Sequence, residues 1–177
     1  MATKKSTYIW ILFGILIIAA WLLGSVTQAG AQTYTMKGRS SHHVTKAHAI
    51  EVGDVPGHNI FLFDQSGLFF QEDGQVAILS VKGVSDYTQG SGPAQGYWLN
   101  TYEDGSTTCV KWKLIATAAP DGKTTSWEGT FEYIKGTGRF EGIKGGGSFT
   151  GKRFAPLPGA GAEIYNDFTG TYTLHSR

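Results

Sequence analysis

His42, His43 and His48 fall close together, and His58 follows ten residues later. Three neutral imidazoles grouped this way can hold zinc or copper. His42 and His48 have even spacing, so an unbroken strand would turn both to one side. No cysteine and no ordered run of carboxylates accompanies them at ligand spacing. The competing reading is a set of solvated polar residues on a leading segment. Glu51 is the only carboxylate between Thr33 and Val52. Farther on, Glu103 and Asp104 stand side by side, and paired carboxylates do acid–base work when their environments split their pKa values. Their place beside a turn makes solvation the simpler account. Cys109 is the only cysteine. On a strand it shares a side with Lys111, a cation that favours the thiolate, yet it has no evident histidine partner.

A second chemistry is suggested by "YIKGTGRFEGIKGGGSFTGK", Tyr133 to Lys152, whose glycines almost spell a phosphate-binding loop. Such a loop needs a strand before it and a helix after it, because the helix N-terminus supplies the donors. No helix signal follows here, and the spacing up to Lys152 is wrong for a lysine-terminated loop. The glycines read instead as two turns, Lys135–Gly138 and Gly145–Gly147, joining antiparallel strands. Arg139 and Glu141 then read as a same-face strand pair.

Aromatic residues supply the third chemistry. Trp98, Tyr102, Trp112, Trp127, Phe131 and Tyr133 offer large surfaces on neighbouring segments. Turned inward, they would bind a flat or lipid-like molecule, with hydroxyls fixing its orientation. The alternative is a filled core without a cavity.

The elements that must position these residues are strands. In "TTCVKWKLIAT", Val110, Trp112, Leu114 and Ala116 share one face, and Lys111 and Lys113 share the other. In "TSWEGTFEYI", Trp127, Gly129, Phe131 and Tyr133 alternate with Glu128, Thr130 and Glu132. Near the end, Phe168, Gly170, Tyr172 and Leu174 form one face. Period-two alternation marks half-buried strands, and "DGS" (Asp104–Ser106) and "APDGK" (Ala119–Lys123) mark hairpin turns. Eight to nine short strands, evenly spaced and without helices, predict a sandwich or a closed antiparallel barrel. Glycines inside strands favour the barrel. Phe61, Phe63, Phe69 and Phe70 exceed what one face of one hairpin can hold, which predicts an outer contact with further copies of the chain, as a dimer or trimer; the alternative is a loop folded over that face, such as "APLPGAGAE" at Ala155–Glu163.

Residues 1–31 have a different composition. Lys4 and Lys5 precede "YIWILFGILIIAAWLL", Tyr8 to Leu23, and Ala29–Ala31 supplies an A-x-A site. That layout predicts a secretory signal peptide cleaved after Ala31. A membrane span needs about 20 residues, so residues 8–26, if uncleaved, would act as a signal-anchor. Either outcome takes the domain, residues 32–177, to the periplasm or the exterior. Removing Lys4 and Lys5 leaves 13 basic against 14 acidic residues, a net charge of −1. A domain so close to neutral has no electrostatic footprint for nucleic acid. No cofactor motif is present, and none is expected.

"WEGTFEYIKGTGRFEGIKGGGSF" resembles the late-strand signature of the allene oxide cyclase barrel superfamily, with Gly136, Gly138, Phe140, Glu141, Gly142 and Gly145 at the matching places. "VGDVPG", Val52–Gly57, is weakly similar to an earlier loop. Dirigent proteins share that barrel. The resemblance implies an eight-stranded antiparallel barrel with an apolar lumen, often trimeric. The catalytic Glu and Asn of the cyclases have no match on the first strand here, so the resemblance carries no cyclase activity over. The leading expectation is non-catalytic or weakly catalytic binding of a small hydrophobic molecule in the lumen. The others are a cofactor-independent isomerase or cyclase using Glu51, Tyr102 and Tyr133 as acid–base groups, and a structural envelope protein.

Overall fold

A computed structural model describes residues 31–155 and 162–175. The leader expected over residues 1–31, with its cleavage site, lies outside the described residues apart from Ala31. Eight strands follow in order: β1 Ala31–Glu51, β2 His58–Gln71, β3 Val76–Thr88, β4 Gly92–Tyr102, β5 Thr107–Ala118, β6 Thr125–Gly136, β7 Lys144–Arg153 and β8 Glu163–His175. Each pairs antiparallel with the next, and β8 pairs with β1, so the sheet is a closed barrel. The all-β, eight-stranded antiparallel expectation therefore holds.

Closure depends on β1. Its first part, Ala31–His43, pairs with β8, and its later part, Gly38–Glu51, pairs with β2. This offset is the stagger that a tilted, closed sheet requires. The alternation expected of β5 and β6 is present: Val110, Trp112, Ala116, Trp127 and Phe131 are buried, while Lys111, Lys113, Glu128 and Glu132 are exposed. Both expected turns are present. Tyr102 N–H donates to Ser106 C=O at 2.9 Å, and Ala119 N–H to Thr124 C=O at 2.9 Å.

The lumen is packed with rings. Trp98 lies 5.4, 5.7 and 5.1 Å from Phe131, Phe149 and Phe168, and Phe69 meets Phe168 edge-on at 5.4 Å. Each such pair contributes about 0.5–1.5 kcal/mol beyond the area it buries. The rings fit because glycines sit beneath them. Gly83 and Gly96 are paired across β3 and β4. A Cβ on Gly96 would collide with the Lys82 carbonyl and come within 2.8 Å of the Trp112 ring.

Three readings of the sequence are corrected. Gly145–Gly147 form no turn; they lie inside β7 and pair with Tyr172, Thr171 and Gly170, where side chains would strike neighbouring backbone. The β6–β7 connection contains a 3₁₀ turn at Gly138–Phe140, so Arg139 and Glu141 are not a strand pair. Arg139 reaches across to Asp104 at 2.5 Å and to Gln75. Finally, Phe61, Phe63 and Phe69 do share one face, the lumenal one; only Phe70 points outward, 41% exposed.

Gly96→Ala is expected to destabilise the barrel by about 1–3 kcal/mol, the usual cost of overpacking. A urea titration followed by tryptophan fluorescence measures this, with the exposed Ser80→Ala variant as a control expected to shift little.

Candidate functional site: the polar end of the lumen

The antiparallel register gives the barrel two different ends. One gathers the start of β1 and the ends of β2 and β4. Here the β6–β7 connection folds inward, burying Phe140 and Ile143. Phe140 packs 4.8 Å from Tyr102 and 6.3 Å from Tyr172, and the Arg139 guanidinium lies 4.7 Å over the Tyr102 ring. Gln71 Nε2 donates to the Tyr102 hydroxyl at 2.8 Å. This end is a plug.

The opposite end is polar inside. Two inward rows of side chains follow from the register. In the first, His42 on β1 is paired with Ile164 on β8, Ile164 with Arg153 on β7, and Arg153 with Thr125 on β6. In the second, Ser40 is paired with Asn166, Asn166 with Gly151, and Gly151 with Trp127. The second row is a directed chain of hydrogen bonds. Trp127 Nε1 donates to Asn166 Oδ1 at 2.7 Å, and Asn166 Nδ2 donates to Ser40 Oγ at 3.1 Å. Ser40 Oγ lies 3.2 Å from His42 Nδ1. Because Ser40 already accepts from Asn166, its own proton is free to go to Nδ1, which leaves the His42 proton on Nε2. The chain crosses β7 at Gly151, where a Cβ would occupy the space of the Trp127–Asn166 bond.

His42 is 4% exposed, and its desolvation pulls the imidazole pKa down to about 4, partly opposed by a hydrogen bond with Gln65. It is therefore neutral at pH 7. Arg153 is 5% exposed. Its Nε donates to the Ala155 carbonyl at 2.6 Å and its Nη2 to Thr125 Oγ1 at 3.1 Å. No carboxylate pairs with it among the described residues. Burial pushes its pKa down, and the nearby Tyr87 works the other way. A cavity of about 50 Å³ opens against His42, Gln65, Tyr87, Arg153 and Asn166, with Trp98, Trp112 and Trp127 on its apolar side. The Trp112 indole N–H is buried and has no acceptor.

Of the aromatic residues expected to line a lumenal site, Trp98, Trp112 and Trp127 reach this cavity. Phe131 packs behind Trp98. Tyr102 and Tyr133 stand toward the plugged end, where burial pushes the Tyr102 pKa up to about 12 and raises that of Tyr133 as well. Glu51 is exposed at the far end of β1, opposite Asn59 on β2. Glu51 thus does not meet Tyr102 or Tyr133. The histidines separate too. The β1–β2 register slips between Val44 and Lys46, so the even spacing of His42 and His48 does not survive: His42 faces the lumen, and His43 and His48 are exposed. Among the described residues, no group of three or more potential ligands is placed to hold a metal. His58 instead bridges Asp54 at 2.5 Å and Asp86 at 2.6 Å, tying the β1–β2 loop to β3. Arg153, Tyr87 and Asn166 were not singled out by sequence. Only Arg153 left a sign, as a cation at the end of an alternating strand.

The buried His42 makes stability pH-dependent. Its folded pKa lies below the ordinary value of 6.5, so the unfolded chain takes up the proton first as pH falls. Stability is lost from about pH 6.5 downward, by about 2–3 kcal/mol at pH 4.5. Unfolding free energies from urea titrations at pH 7 and pH 4.5 are expected to differ less by that amount in His42→Gln than in the wild type.

No protein-family model matches the sequence, and no curated protein aligns with it significantly. The barrel is similar to two solved structures. One is the pterocarpan synthase dirigent protein GePTS1, at 12% identity and a TM-score of 0.43, covering 86% of this chain and 96% of that one. The other is the pterocarpan synthase dirigent protein PsPTS1, at 11% identity and a TM-score of 0.44, covering 82% and 97%.

Proposed function

We propose that this barrel is an exported protein that binds a small, largely apolar molecule at the polar end of its lumen, without acid–base catalysis. The observation that carries the reading is the cavity itself. It joins three tryptophan faces to a set of fixed polar groups, the combination that small-molecule sites use: apolar walls for affinity and a few polar groups for orientation. A volume of about 50 Å³ excludes a long lipid, and even one aromatic ring enters only as the lining rings move aside, so the ligand is compact. The isomerase or cyclase reading needs an acid–base pair, and Glu51 stands apart from Tyr102 and Tyr133, whose burial keeps both phenols neutral. Lumenal groups near neutral pH are a neutral histidine, neutral tyrosines and an arginine, which orient and polarise better than they shuttle protons.

Export rests on the composition of residues 1–31, with residues 8–26 as the membrane tether if they are retained. Self-association is part of the same proposal. Leu62, Ile78 and Ile115 are 65%, 62% and 61% exposed on the outer face, and such apolar cover favours contact with further copies.

The test is to express the full-length gene with its own N-terminus, purify the exported product and record native mass spectra. The expected result is a dimer or trimer carrying a discrete extra mass of a small molecule. An empty species that takes up no small molecule would overturn the binding reading and favour a structural envelope role. The same spectra show whether residues 1–31 remain attached.

A further inference from the structure

Among the described residues, the cavity is lined by a cation and by no anion. The Arg153 guanidinium has five N–H donors. Two are engaged, by the Ala155 carbonyl and the Thr125 hydroxyl. Both partners are neutral, so they satisfy geometry and leave the charge unbalanced. Behind the cavity wall, the enclosed Trp112 Nε1 is a further donor with no acceptor. His42, on the same cavity, cannot balance the charge, since it is neutral, and its Nδ1 is already met by Ser40. Among the described residues, no aspartate or glutamate lines the cavity either.

A buried charge normally has a counter-charge, because desolvating it costs several kcal/mol otherwise. A role confined to tethering the chain at Ala155 would not require a cation; glutamine or asparagine can donate to a carbonyl. The unspent charge at the wall of a cavity therefore calls for an anion from outside the chain. Its size and valence follow from the surroundings. One guanidinium balances one negative charge, and the planar fork matches a carboxylate in two-point contact. The tryptophan walls call for a flat apolar body behind that head.

We infer that the polar end of the lumen is a carboxylate-recognition site, in which Arg153 receives the carboxylate of a compact aromatic or short-chain organic acid and Trp98, Trp112 and Trp127 hold its apolar body. The inference rests on the lumenal-binding reading and narrows it to monoanionic ligands.

The experiment is calorimetric titration of the purified full-length chain with benzoate and with benzamide, a neutral molecule of nearly the same shape. Benzoate is expected to bind at least tenfold more tightly, the scale of a charge-assisted hydrogen bond set against a neutral one. Arg153→Met removes the charge while keeping an apolar stem; it is expected to abolish the preference and preserve the β circular dichroism spectrum. In the wild type, one arginine Nε–Hε NMR resonance is expected to shift with benzoate and not with benzamide, which keeps the test decisive if Arg153→Met does not fold. Equal binding of the two probes, or a preference that survives in Arg153→Met, would overturn the carboxylate assignment and leave lumenal binding standing. Failure of both probes to bind would overturn both.

Discussion

A closed sheet of eight strands encloses a space that must be filled, and this barrel depends on how that is done. The interior is about as wide as two layers of side chains. Aliphatic residues alone would leave voids, and every void forfeits dispersion contacts on its walls. Here the filling is aromatic, with Trp98 at the centre of three ring contacts. Rings of that size need places without side chains opposite them. Gly83, Gly96 and Gly129 provide these, each where an added Cβ would meet a ring or a neighbouring strand. Glycine weakens a strand in isolation, so the fold gives up local strand preference to gain central packing.

The same geometry makes the two ends unequal. At one, a short 3₁₀ turn brings Phe140 into the mouth and Arg139 over Tyr102, and the aromatic stack continues to the surface. At the other, the register stacks His42, Arg153 and Thr125 in one row and Ser40, Asn166 and Trp127 in the next. A run of hydrogen bonds from the Trp127 indole to the His42 imidazole satisfies most of these groups. Such networks are stable only when nearly complete. Among the described residues, Arg153 on the cavity wall keeps a charge without a counter-ion, and Trp112 Nε1, Ser85 Oγ and Asn100 Oδ1 have no partner. Exposed pairs such as Arg39–Asp167 and Lys82–Asp64 are screened by solvent and decorate the outside without shaping the site.

Much of this was legible beforehand, and the failures have physical causes. Strands β5 and β6 alternate cleanly, so their inner faces, including Trp112, Trp127 and Phe131, could be read from period two alone. Gly145–Gly147 looked like a turn because glycine clusters usually mark turns; here they lie within a strand that neighbours crowd on both sides. His42 and His48 looked like same-side residues because even spacing holds only along an unbroken ladder, and a register slip after Val44 breaks it. Arg139 looked like a strand partner of Glu141, yet it sits in a 3₁₀ turn and its guanidinium reaches Gln75 and Asp104, far away in sequence.

The sequence by itself determined the all-β class, the number of strands to within one, and which residues of the regular strands turn inward, because these depend on local periodicity and turn chemistry. The tertiary structure decided where the site lies. Ser40, His42, Arg153 and Asn166 come from three strands that meet only when β8 closes on β1 and β7. Whether a buried cation has a counter-charge is a property of that closed set of neighbours, and no single strand carries it.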